Sequence, residues 1–103
     1  MVYPSDLKLE VKATGLMTYP DLMVVCGKPE FVYDHGDVLR NPVVIFEVLS
    51  ESTESFDRGK KFEHYRLIPS LRHYVLVSQD RCSVEVFTRQ VRENQAVDPW
   101  LLS

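Results

Sequence analysis

Val43-Val44-Ile45-Phe46-Glu47-Val48-Leu49 is the stretch that decides how this chain folds. Six of its seven residues are apolar, several are β-branched, and no glycine or proline interrupts them, so it reads as a strand buried on both faces. A single carboxylate stands in the middle. Burying an unpaired charge costs several kcal/mol, so Glu47 demands a cation, a hydrogen-bond network or a proton. Two readings are open at this point: a metal ligand, or a strand-edge glutamate paired with an arginine.

Working outward, Asn41-Pro42 opens this strand, and the polar run from Ser50 to Ser55 closes it and can cap the next element. Residues 57–67 read as a helix, with Ser55 as the N-cap and Asp57 near the positive end of the dipole. Gly59 would cost that helix about 1 kcal/mol relative to alanine, and Pro69 lies just past its end. Upstream, residues 8–13 alternate charged and apolar side chains as a half-buried strand does, and Leu22 to Cys26 form a second apolar strand. Downstream, residues 74–78 and 84–87 read as a hairpin. The tail from Gln90 has no clear period and is expected to be irregular. The expected order is strand, strand, strand, helix, strand, strand: one mixed α/β domain with a principal helix after the third strand.

The chain has 103 residues, 45% hydrophobic and 26% charged, the balance of one small soluble domain. Its longest apolar run falls far short of the ~20 residues that cross a bilayer, and no charged leader precedes an apolar segment. A cytoplasmic protein is therefore expected, with Cys26 and Cys82 as reduced thiols in or near the core. So small a domain buries a modest share of its surface, which favours a homo-oligomer, in the simplest case a dimer. The formal charge is −3, but it is uneven: residues 1–57 carry four Lys/Arg against ten Asp/Glu, and residues 58–103 eight against five. Carboxylates beside a basic stretch fit a metal site next to a phosphate-binding face, and a solvated helix face fits as well.

Asp21 stands at the head of the strand at 22–26. If that strand neighbours the one bearing Glu47, the two carboxylates meet at a hard-oxygen site suited to Mg²⁺ or Mn²⁺; alone, Asp21 is a turn residue after proline. On the helix, Asp57, Lys61 and Tyr65 recur every four residues and share a face, with Lys60 on a neighbouring one. A lysine beside such carboxylates can hold a phosphate oxygen or orient a water. Otherwise Asp57 and Lys61 form a surface pair worth a few tenths of a kcal/mol. The three histidines, His35, His64 and His73, have no ligand-like spacing, and no phosphate-binding glycine loop is present.

Taken together, Tyr19-Pro20-Asp21-Leu-Met-Val-Val-Cys26-Gly27, Asn41-Pro42, Phe46-Glu47-Val48-Leu49-Ser50-x-Ser52-Thr53, and Asp57-Arg58-Gly59-x-Lys61 with Tyr65 resemble the bacterial "putative restriction endonuclease" family of the PD-(D/E)xK nuclease superfamily. Ile68-Pro69-Ser70-Leu71-Arg72-x-Tyr74-Val75-Leu76-Val77 and Val84-Glu85-Val86 extend the likeness, which runs from about Val2 to Gln90. The resemblance implies a restriction-endonuclease-like mixed sheet. It also implies a metal-dependent endonuclease that hydrolyses DNA phosphodiester bonds, with Asp21 and Glu47 holding Mg²⁺ (Mn²⁺ as substitute). The lysine expected two residues after the glutamate is absent, because position 49 is Leu; the resemblance assigns its role to Lys61. The resemblance leads to the expectation that the usual N-terminal helix and first strand are missing. The expectation is a truncated nuclease-like domain at 1–90 and an irregular tail at 91–103. The alternative is a catalytically inactive remnant acting as an oligomeric or DNA- or partner-binding module.

Overall fold

The computed structural model describes residues 1–4, 6–32, 38–50, 59–79, 82–90 and 100–102. Its elements in chain order are β1 (Val2–Pro4), β2 (Lys8–Val11), β3 (Leu16–Thr18), β4 (Leu22–Val24), β5 (Val38–Leu39), β6 (Val44–Leu49), α1 (Lys60–Tyr65), β7 (His73–Ser78), β8 (Val84–Arg89) and β9 (Trp100–Leu102). A six-stranded sheet has the order β1-β4-β6-β7-β8-β9, and a three-stranded sheet the order β3-β2-β5. Both are mixed: β6–β7 and β2–β5 run parallel, the remaining pairs antiparallel. Parallel neighbours need a crossover connection, and α1 lies in the one that joins β6 to β7. This is a sheet-dominated architecture consistent with a restriction-endonuclease-like fold.

The period-two reading of residues 8–13 holds in β2, where Leu9 and Val11 are buried and Lys8 and Glu10 half-buried. Gly15 turns the chain from β2 into β3 at φ 78°, in the left-handed region where a side chain is disfavoured, and its N–H bonds Val11 O at 2.8 Å. The inward residues of both sheets, among them Leu9, Val11, Met23, Ile45, Tyr74 and Leu76, form one core cluster. Phe62 of α1 joins it by stacking on Tyr74, ring centroids 5.5 Å apart.

Several expectations are corrected. β6 is not buried on both faces: Ile45, Glu47 and Leu49 point inward, while Val48 on the other face is 47% exposed. The helix follows the sixth strand, not the third, because β1, β3 and β5 are two- or three-residue strands too short to show a period. It also ends at Tyr65 rather than at 67, and Gly59 is the residue before its first turn, so the interior-glycine cost does not arise. The N-cap Ser55 and the dipole partner Asp57 lie outside the described residues. In the tail, Trp100–Leu102 form β9 against β8. What orders this end is side-chain packing: the Trp100 ring meets Phe62 edge-on at 5.3 Å and the Arg89 guanidinium at 4.9 Å. Cys26 and Cys82 are both exposed rather than core thiols. His64 and His73 are half-buried, and His35 lies outside the described residues.

Candidate active site

The site is assembled around β6. Antiparallel register pairs Leu22 with Phe46, and its continuation by one residue sets Asp21 opposite Glu47. There the backbone ladder gives way to side chains. The Val48 N–H donates to Asp21 Oδ2 at 2.7 Å, and the Asp21 N–H donates to Glu47 Oε1 at 3.2 Å. Each carboxylate thus satisfies a main-chain donor of the neighbouring strand, a reciprocal clasp that holds both side chains at one edge of the β4–β6 pair.

The second oxygen of Glu47 meets the helix: Lys61 Nζ donates to Oε2 at 2.7 Å. The pair is well shielded, with side-chain exposures of 18% for Lys61 and 3% for Glu47. The question raised by a carboxylate inside an apolar strand is answered in this structure by a lysine from the crossover helix. The helix is itself held in place. Tyr65, four residues on and fully buried, hydrogen-bonds Thr18 Oγ1 through its hydroxyl at 2.7 Å, tying α1 to β3. At its far end Arg89, 7% exposed, donates to the carbonyl of the C-cap residue Arg66 (2.6 Å), an acceptor that the helix end leaves open, and to that of Pro69 in the following turn (3.0 Å).

Of the residues singled out from sequence, Asp21, Glu47 and Lys61 come together, with Asp21 exposed at the rim and Glu47 buried beneath it. Lys60 is exposed, and Asp57 lies outside the described residues. Thr18 and Arg89 had no sequence signal as supports of the site, because each acts only through long-range contacts. Tyr65 did carry a signal, its spacing of four from Lys61.

Among the described residues, no three His, Cys, Asp or Glu side chains converge as a metal cage. Two carboxylates nevertheless suit Mg²⁺, which keeps several waters and is bound through one or two carboxylates plus substrate phosphate. The donor chemistry of Asp21 and Glu47 fits such an ion.

The mixed sheet brings together an exposed aspartate, a buried glutamate from the neighbouring strand and a lysine from the crossover helix, and the architecture is consistent with a restriction-endonuclease-like fold. The Uma2 family model, described as "Putative restriction endonuclease", matches residues 1–103, and the chain belongs to that family. The PD-(D/E)xK nuclease superfamily is consistent with this membership. The match extends through the tail, beyond the stretch at 2–90 over which the likeness is legible by eye. Two relatives come from Synechocystis sp. (strain ATCC 27184 / PCC 6803 / Kazusa). "Uncharacterized protein sll1609" is 36% identical over 102 residues, 99% of this chain and 55% of that protein. "Uncharacterized protein slr1290" is 36% identical over 83 residues, 81% of this chain and 43% of that protein. The chain therefore spans about half the length of the curated relatives it matches. No helix among the described residues is long and apolar enough to cross a membrane.

Proposed function

We propose that this chain carries the catalytic core of a metal-dependent endonuclease acting on DNA phosphodiester bonds. The observation that carries the reading is Glu47. It is 2% exposed, yet it is joined through one oxygen to the strand that bears Asp21 and through the other to Lys61. Retaining a buried charge costs stability unless it is paired and hydrogen-bonded, and two carboxylates beside a lysine can hold a divalent cation next to a phosphate oxygen.

In this reading Asp21 and Glu47 hold Mg²⁺, with Mn²⁺ as substitute. When bound, the ion supplies an electrophile for the phosphate and activation for the attacking water. The chain's own residues do the positioning. The clasp to the Val48 N–H fixes the Asp21 carboxylate. Lys61, whose ammonium offers three donors, shares them between Glu47 Oε2 and a non-bridging phosphate oxygen or the attacking water, and so stabilises charge that develops at phosphorus. Activity as a homodimer belongs to the same proposal.

The deciding experiment is nicking of supercoiled plasmid in Mg²⁺ and in Mn²⁺, with Glu47→Ala and Lys61→Ala purified identically. Cutting by the native chain that both variants lose supports the proposal. No cutting, or equal traces in all three, overturns it and favours the alternative, a nuclease-like module that binds DNA or a partner without cleaving.

A further inference from the structure

A cleft of about 510 Å³ opens where the two sheets part company, within the ~300–1,000 Å³ usual for ligand sites. Its walls come from both sheets: Tyr3 and Pro4 of β1, Lys8 of β2, Val38 of β5, and Tyr19 of the link between β3 and β4. Tyr19 is 57% exposed, and the Lys8 ammonium sits over its ring, 5.5 Å from the centroid. The arrangement is set by register. Leu9 pairs with Thr18, so the same ladder continued by one residue brings Lys8 across from Tyr19. Only Pro20 separates Tyr19 from Asp21, which keeps their Cα atoms within about 7 Å.

We infer that this cleft takes one unpaired nucleotide of the DNA strand, with its base stacked on Tyr19 and a flanking phosphate held by Lys8. The inference rests on the proposed nuclease function. A solvent-facing tyrosine with a cation beside it matches the way single strands are held, by aromatic stacking combined with backbone charge. Duplex bases are already stacked on one another, so a base reaches Tyr19 only from a single strand or by leaving the helix. Asp6 also lines the cleft and offsets the charge of Lys8, so stacking rather than counterion release dominates the affinity.

The test is fluorescence anisotropy of the full chain with a labelled single strand of about 12 nucleotides and with its duplex, in Ca²⁺. The expected results are tighter binding of the single strand, a loss of roughly 5- to 150-fold in Tyr19→Ala, and near-native binding by Tyr19→Phe. Lys8→Met lowers the slope of log K against log salt by about 0.7. An unchanged melting temperature of Tyr19→Ala checks that the exposed ring is not structural. Native binding by Tyr19→Ala, equal losses in Tyr19→Ala and Tyr19→Phe, or no single-strand binding at all overturns the inference. Plasmid nicking run in parallel separates the two readings. Nicking with Tyr19-independent binding removes the cleft alone. Tyr19-dependent binding without nicking removes the nuclease reading and leaves the cleft.

Discussion

Replacing Lys61 by methionine keeps the aliphatic stem of the side chain and deletes its ammonium. Glu47 then loses the partner 2.7 Å away while its side chain stays 3% exposed. Removing one member of a buried ion pair costs about 3–5 kcal/mol. The Asp21 N–H still serves Oε1, which places the expected loss near the bottom of that range, about 3 kcal/mol. The converse change is milder. In Glu47→Gln the amide oxygen can accept one of the two donors, and Lys61, with 18% of its side chain already exposed, can turn its ammonium to water. That variant is expected within about 1 kcal/mol of the native chain. For a domain of this size 1 kcal/mol moves the melting temperature by ~4–8 °C, so the two variants separate by more than ~8 °C. Trp100 is the single tryptophan and packs on Phe62 and Arg89, so its fluorescence follows urea unfolding without a label. In the double variant Glu47→Gln/Lys61→Met most of the loss is recovered, because the buried carboxylate charge is removed together with its ammonium partner. Equal losses in the two single variants, or a Lys61→Met loss below about 1 kcal/mol, refute the reasoning and make the pair a surface-like contact.

The same geometry sets four further outcomes. Mn²⁺ raises the melting temperature of the native chain and not that of Glu47→Ala, read by thermal scans with and without the ion; the same shift in both proteins refutes a site at Glu47. Asp21→Asn keeps an acceptor for the Val48 N–H and is expected to melt within about 0.5 kcal/mol of native, while plasmid nicking is lost. Tyr65→Phe deletes the bond to Thr18 and costs about 1 kcal/mol by chemical denaturation, with a further drop in nicking as α1 loosens. Arg89→Lys is not conservative, because one ammonium cannot reproduce a fork that reaches two carbonyls; a loss of about 2 kcal/mol is expected, and native stability would show that the fork contributes nothing.

The parts of the molecule legible in the sequence are those whose pattern is local. Residues 43–49 announce β6 because an apolar β-branched run needs no partner to be recognised, and β2 announces itself by alternation. The acidic pair was readable because a carboxylate in such a strand is an anomaly that demands an explanation. What stayed hidden is set by distance. β1, β3 and β5 are strands because their neighbours make them so, and three residues carry no period. The exposure of Val48, on a strand that reads as buried throughout, depends on which face the core takes, something composition does not encode. For Glu47 the residues leave open an arginine partner or a metal; the basic partner is a lysine, Lys61, fourteen residues on. The resemblance named that lysine, whereas helix spacing alone also allowed a surface pair.

Because β6 and β7 lie side by side and point the same way, the chain leaves the top of one and travels back before it can begin the other. Lys61 rides on that return path, whereas Asp21 immediately precedes β4 and Glu47 lies in β6, strands that pair directly. The two acids are brought together by the direct β4–β6 pairing, whereas the lysine reaches them from a helix carried on the longer connection between β6 and β7. Any chemistry that needs all three groups therefore depends on the placement of one short helix as well as on the sheet.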